Sequence, residues 1–123
     1  MILTGRKISQ GKSHGRILLC PNPVSFLGGV NPADGKVADA STNGQSAKDR
    51  VFAFPRGKGS TVGSYVIYDM KEHGTLPAAI INESAEPIVA TGAVMASVPM
   101  VDSIDLSLLR EGDECIVDGS SGT

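Results

Sequence analysis

The chain has 123 residues, a formal net charge of -2, 41% hydrophobic and 20% charged residues, the balance of an ordinary soluble globular domain. With no Trp and only 4% aromatic residues, it lacks the basic patch and stacking platforms that mark nucleic-acid binders. No apolar run reaches the roughly 18 residues of a membrane span, and the opening MILTGRKISQGK has no apolar leader segment.

The two cysteines, Cys20 and Cys115, are far apart and form no metal-spacing motif. Both are expected to be small buried hydrophobes, and the lack of a disulfide framework points to a reducing cytoplasm. One domain over residues 1–123 is expected, long enough to bury roughly two thirds of its unfolded surface.

ILLCPNPVSF (Ile17 to Phe26) reads as a strand that runs into proline-punctuated backbone. Gly28-Gly29 allows a sharp turn, and NPADGK (Asn31 to Lys36) is a second turn, with Pro and Asp-Gly each supplying a backbone preference. Val37 to Arg50 is polar and irregular and is expected to be loop with a short turn of helix. VFAFP (Val51 to Pro55) suits a buried strand closed by proline.

Beyond it, Val62, Tyr65, Val66 and Met70 follow the i, i+3, i+4, i+8 spacing of one helical face. Ser60 is a suitable N-cap, and Lys71, His73 and Gly74 form a suitable helix end. LPAAII (Leu76 to Ile81) reads as a strand. Ile88 to Val101, apolar and rich in small residues, fits either a strand or a short helix. ECIVDGSSG (Glu114 to Gly122) reads as a strand entering a turn, with a pairing strand expected beyond it. Strands around one strand-loop-helix-strand unit indicate a mixed α/β domain.

Chemistry concentrates in RGKGSTVGSY, Arg56 to Tyr65. The stretch is not a P-loop, because Gly59 rather than Ser or Thr follows Lys58, and Gly57, Gly59 and Gly63 miss the dinucleotide fingerprint by one position. A glycine-rich turn entering a helix still offers backbone N–H groups to an anion. Arg56 adds a bidentate fork and Lys58 a point charge. The plainer alternative is a surface turn with Ser60 as an ordinary cap.

As a nucleophile Ser60 has no His or Asp in this stretch to activate it; His73 reads as a helix-end residue and His14 as a turn residue. As a general base it must be an alkoxide. Lowering a hydroxyl from the range of bulk water, about 15.7, by about seven units needs roughly 10 kcal/mol. One preorganised donor supplies roughly 3 to 4 kcal/mol, so several donors, a cation and exclusion of water are required. A chain this small needs a second wall for that.

The stretches GRKISQGKSHG, PVSFLGGVNPADGKV, FPRGKGSTVGSY, PAAIINESAEPIVATGAVMASVPMVD and EGDECIVDG cover most of the chain. Together they resemble the small subunit of the aconitase X family, and PRGKGSTVGSY with SFLGGV is specific for it. The resemblance implies a single three-layer β/β/α swivelling domain of the aconitase-like α/β class. It implies a hydro-lyase active only with a large aconitase-like subunit, which holds an iron–sulfur cluster of the 4Fe-4S type; none is bound by this chain. The implied reaction is loss of water from (R)-mevalonate 5-phosphate to give trans-anhydromevalonate 5-phosphate, in isoprenoid synthesis.

On the same resemblance Ser60 takes the proton from carbon. Arg56, Gly57, Lys58, Gly59 and Thr61 are the expected substrate-binding residues, with no metal ligand among them. Gly57 and Gly59 let backbone approach the substrate, and Thr61 adds a hydrogen bond. Ser25, Gly28 and Gly29 fit a turn required by the fold at least as well as a substrate contact. The family also contains cis-3-hydroxy-L-proline dehydratases, and Thr61 with the stand-alone length favours the phosphorylated substrate. A rival of another class is a non-catalytic anion-binding or interaction module that reuses the fold.

Overall fold

Three short strands whose residues are all buried form the centre of the structure, a computed structural model that describes residues 3–58, 62–119 and 122. They are β3 (Val51–Phe54), β4 (Ala79–Asn82) and β5 (Met100–Asp102). Strands buried on both faces read as continuous apolar runs, as parallel strands between two packed layers do. Around them lie β1 (Arg6–Ser9), β2 (Lys12–Leu19) and β6 (Glu114–Asp118), giving a six-stranded sheet of order β1-β5-β4-β3-β2-β6. The four inner strands are parallel, while β1 pairs antiparallel with β5 and β6 antiparallel with β2.

The pleat sorts side chains to two cores. Phe52 and Phe54 join Leu18, Ile80 and Met100 under Ile67, Met70, Val89 and Ala93 of the helices α2 (Val62–His73) and α3 (Pro87–Ala96). Val51, Ala53, Ile81 and Val101 point the other way, to Ile104, Leu106 and Val117. On that second face the sheet curls into a half-barrel. Its outer strands approach each other where Gly119 N donates to Gly11 O at 2.7 Å and Gly5 N to Gly122 O at 2.8 Å. One helical layer over a curled mixed sheet is the α/β swivelling architecture expected from the sequence.

Local signals account for several elements. NPADGK is a turn closed by Gly35 N donating to Asn31 O at 2.7 Å, and the irregular segment after it holds one 3-10 turn, Ala40–Thr42. Phe26–Gly29 (α1) is a single turn in which Leu27 and Gly28 leave helical geometry, Gly28 at φ 82. Helix α2 ends at His73, and Gly74 follows at φ 70, as Lys71, His73 and Gly74 suggest.

Other expectations are corrected. Among the described side chains the buried face of α2 is Gly63, Ile67 and Met70, with Val66 at its edge, while Tyr65 is 68% exposed; the Val62 side chain lies outside that description. The reason is close helix crossing: a Cβ on Gly92 of α3 would stand 2.6 Å from Ile67 Cδ1 and 3.3 Å from Ser64 Cα. The small residues Gly63 and Gly92 therefore set the contact line, and Tyr65 lies off it. Ile88 to Val101 is neither alternative alone but helix α3 followed by β5, separated by Ser97 in the left-handed region at φ 60. β2 begins at Lys12, before the apolar run, which puts His14 in a strand and not in a turn. β6 pairs with the earlier strand β2, in register from Lys12↔Asp118 to Arg16↔Glu114, where a later partner was expected. Cys20 is fully buried and Cys115 partly so.

Candidate active site

In an open parallel sheet, ligands bind beyond the carboxyl ends of the strands. Three segments meet there: residues 23–29 after β2, residues 55–58 after β3, and residues 83–86 after β4. Val24 and Gly57 form a parallel bridge, with Val24 N donating to Arg56 O at 3.1 Å and Lys58 N to Val24 O at 3.0 Å. Glu83 N and Ser84 N both donate to Pro55 O, at 3.0 and 3.1 Å. The loop is thus stitched to both flanking segments before it reaches α2.

Gly57 is buried, and a Cβ there would collide with Val89 Cγ2 and stand 3.1 Å from Glu86 Oε1. The same Glu86 caps α3, its Oε1 accepting from Val89 N at 2.9 Å. The loop backbone therefore lies directly on the first turn of α3, a contact that no side chain at position 57 would permit. Arg56 and Lys58, on either side of Gly57, project outward and are exposed. Neither makes an ion pair among the described residues. Helix α2 has no acidic residue in its first turn, so no carboxylate of that turn offsets its positive end.

Of the expected site residues, Arg56, Gly57 and Lys58 come together at this edge. Gly59, Ser60 and Thr61, including the N-cap assigned to Ser60, lie outside the described residues. Ser25 fits its plainer reading, since its hydroxyl donates to Leu27 O at 3.1 Å within the turn. No Cβ neighbour lies within 4 Å of Gly28 or Gly29.

Two features escaped the sequence reading. Asp39 holds the first turn: Oδ2 accepts from Asn22 Nδ2 at 3.1 Å, and Oδ1 accepts from Ser41 N and Oγ at 2.9 and 2.6 Å. The Ser41 bonds, aided by Asn22, hold its carboxyl down at about 2. Asp102, 1% exposed at its side chain, takes Arg6 Nε and Nη2 at 3.0 and 2.7 Å and Ala85 N at 2.8 Å, which ties β1 and β5 to the segment below the loop.

Both histidines sit away from the carboxyl edge. His73 ends α2, eleven residues and so about 17 Å along the axis from Val62. His14 is five residues, about 16 Å, upstream of the end of β2. Neither imidazole is placed to act as a base there.

An iron–sulfur cluster needs several thiolates, and the cysteines do not fit one. Cys20 belongs to the helix-side core and Cys115 packs on the other. Burial pushes both thiols up, toward the neutral form. Among the described residues no three of His, Cys, Asp and Glu are grouped as metal ligands.

Comparison with known proteins follows the same lines. A model of the Aconitase X swivel domain matches residues 2–123. The chain belongs to that family. It is 54% identical over 124 residues to the protein of Thermococcus onnurineus named phosphomevalonate dehydratase small subunit, covering 99% of this chain and 95% of the relative. The protein of that name from Thermococcus sibiricus is 51% identical, with the same coverage. A crystal structure of Thermococcus kodakaraensis aconitase X in its holo-form superposes with a TM-score of 0.93 at 52% identity, covering 98% of this chain and 93% of that one.

Proposed function

We propose that this swivel-domain chain is the small subunit of a phosphomevalonate dehydratase, acting as one domain over residues 1–123 with a large aconitase-like subunit in the cytoplasm. The observation that carries the reading is identity of about half the residues, along nearly the whole chain, to relatives of that name. Arg56 and Lys58, exposed at the carboxyl edge and in no ion pair among the described residues, support it.

The reaction converts (R)-mevalonate 5-phosphate to trans-anhydromevalonate 5-phosphate for isoprenoid synthesis. A proton leaves the carbon next to the carboxylate and hydroxide leaves the adjacent carbon, so a double bond forms between them and charge balances as water. Ser60 is the proton acceptor. The substrate bears a carboxylate and a phosphate, and Arg56 and Lys58 supply the complementary cations. The backbone of Gly57 and Gly59 and the hydroxyl of Thr61 complete the cradle. The alkoxide needs donors on one side and a wall against water on the other, and the large subunit is that wall. The iron–sulfur cluster of such enzymes is assigned to the large subunit, since the cysteines of this chain suit it poorly.

The test is anaerobic reconstitution of the two chains. Turnover of (R)-mevalonate 5-phosphate should require both, and Ser60→Ala should assemble normally yet lose at least a thousandfold in kcat. Substantial turnover by Ser60→Ala would remove Ser60 as the base. Turnover of cis-3-hydroxy-L-proline instead would move the chain to the other branch of the family.

A further inference from the structure

Asn82 ends β4 and is fully buried, at 0% exposure. Its amide nitrogen donates to the carbonyl oxygens of Phe54 at 2.9 Å and Ile81 at 3.0 Å. Those two acceptors fix the amide's orientation, because a flipped group would set oxygen against oxygen. Oδ1 is then left buried with no hydrogen-bond partner, the single such side-chain atom among the described residues. Native interiors seldom leave an acceptor unmet, and the exceptions tend to have a use.

The position of this one is informative. Phe54 ends β3 and leads directly into Pro55–Lys58. Asn82 holds the Phe54 carbonyl while the next two residues, Glu83 and Ser84, hold the Pro55 carbonyl. The end of β4 therefore grips two successive carbonyls at the root of the loop that carries Arg56, Lys58 and Ser60.

We propose that Asn82 is a positioning residue for the Ser60 loop: its N–H bonds to the Phe54 and Ile81 carbonyls fix the root of the loop. The inference rests on the reading of Ser60 as the base. Asn82 touches no reacting atom; it acts through the backbone that delivers Ser60. A residue in this role governs kcat more than substrate affinity, because Arg56 and Lys58 still meet the anions.

The experiment compares Asn82→Leu, Asn82→Asp and Ser60→Ala in the reconstituted two-chain enzyme. Asn82→Leu is expected to lower kcat at least tenfold with KM changed less than threefold. In the small subunit it should speed amide exchange of Lys58, Glu83 and Ser84 about tenfold. Asn82→Asp keeps the shape and one oxygen, and its protonated carboxyl can still donate to Phe54 O. Ionisation turns that donor into a charge facing two carbonyl oxygens. Its kcat should fall as pH rises, along a limb absent from the wild type. Glu83, Glu86 and Asp102, with the cations Arg6, Arg56 and Lys58 on the adjoining segments, are common to both proteins; they set where the new limb falls, and a limb present only in the variant belongs to position 82.

Wild-type kcat in Asn82→Leu, or an Asn82→Asp profile that superposes on the wild type, overturns the proposal. So does a loss of kcat that merely follows the loss of folded protein. If Ser60→Ala is inactive while Asn82→Leu is normal, this inference alone fails. If Ser60→Ala turns over normally, the base assignment fails first.

Discussion

Replacing Gly57 with alanine tests the packing on which the site is built. Gly57 is not among the positive-φ glycines, so alanine can adopt its backbone. On entropy alone the change should stabilise the chain by about 0.4–1 kcal/mol. The added methyl, however, collides with Val89 Cγ2 and crowds Glu86 Oε1 at 3.1 Å, and overpacking of this kind costs about 1–3 kcal/mol. The collision should win over all but the lowest end of these ranges, for a net loss of about 0.5–2.5 kcal/mol. At roughly 3–5 °C per kcal/mol for a domain of this size, the melting temperature should drop by roughly 2–12 °C. Thermal unfolding of the isolated chain by circular dichroism reads it directly. In a Val89→Ala background the obstructing methyl is gone, and Gly57→Ala should then cost less than about 0.5 kcal/mol by double-mutant cycle. A melting temperature at or above wild type, or an undiminished cost once the Val89 methyl is removed, would refute the account.

Other expectations follow from the same geometry. Arg56→Ala should raise KM for the phosphorylated substrate at least tenfold while leaving the melting temperature within about 2 °C, since the side chain is exposed and makes no ion pair among the described residues; unchanged kcat/KM removes it from the site. Burial pushes the Asp102 carboxyl up, but Arg6, Ala85 N–H and Ser103 together hold it below its ordinary value. A depressed folded value means that its contribution is complete above about pH 4, the unfolded range, and is lost as pH falls through the folded value. Asp102→Asn should therefore melt lower at pH 7, and the gap to wild type should close in acid. Parallel melting curves from pH 7 down to pH 3 would show that the pair does not contribute.

What was legible in the sequence was mostly local. VFAF could be read as a strand because every residue is apolar and proline follows, and the NPADGK and Gly74 signals need only neighbouring residues. β1, by contrast, is RKIS, with two exposed cations and a buried serine; it is a strand because β5 pairs with it from some ninety residues away. The helix face was misjudged at Tyr65 because hydropathy ranks Tyr above Gly, whereas close helix crossing favours Gly63 and Gly92. Arg56, Gly57 and Lys58 were found through the motif they share with a family, and the structure adds why Gly57 must be glycine. Asn82 lies just past the apolar run Leu76 to Ile81 and carries no signal in the sequence; only its burial and the two backbone carbonyls held by its amide distinguish it.

The order in which strands pair bears on how the protein is made. β2 takes β3 on one side soon after both are synthesised, yet its other edge waits for β6, in register from Lys12↔Asp118 onward. At about 5–20 residues per second, that edge stays open for several seconds on the ribosome, a template for pairing with the wrong chain. Lys12, His14 and Arg16 are exposed along it, and two of them are permanent cations. The outer half of β2 thus carries its own guard against misassembly during the interval before its partner strand exists.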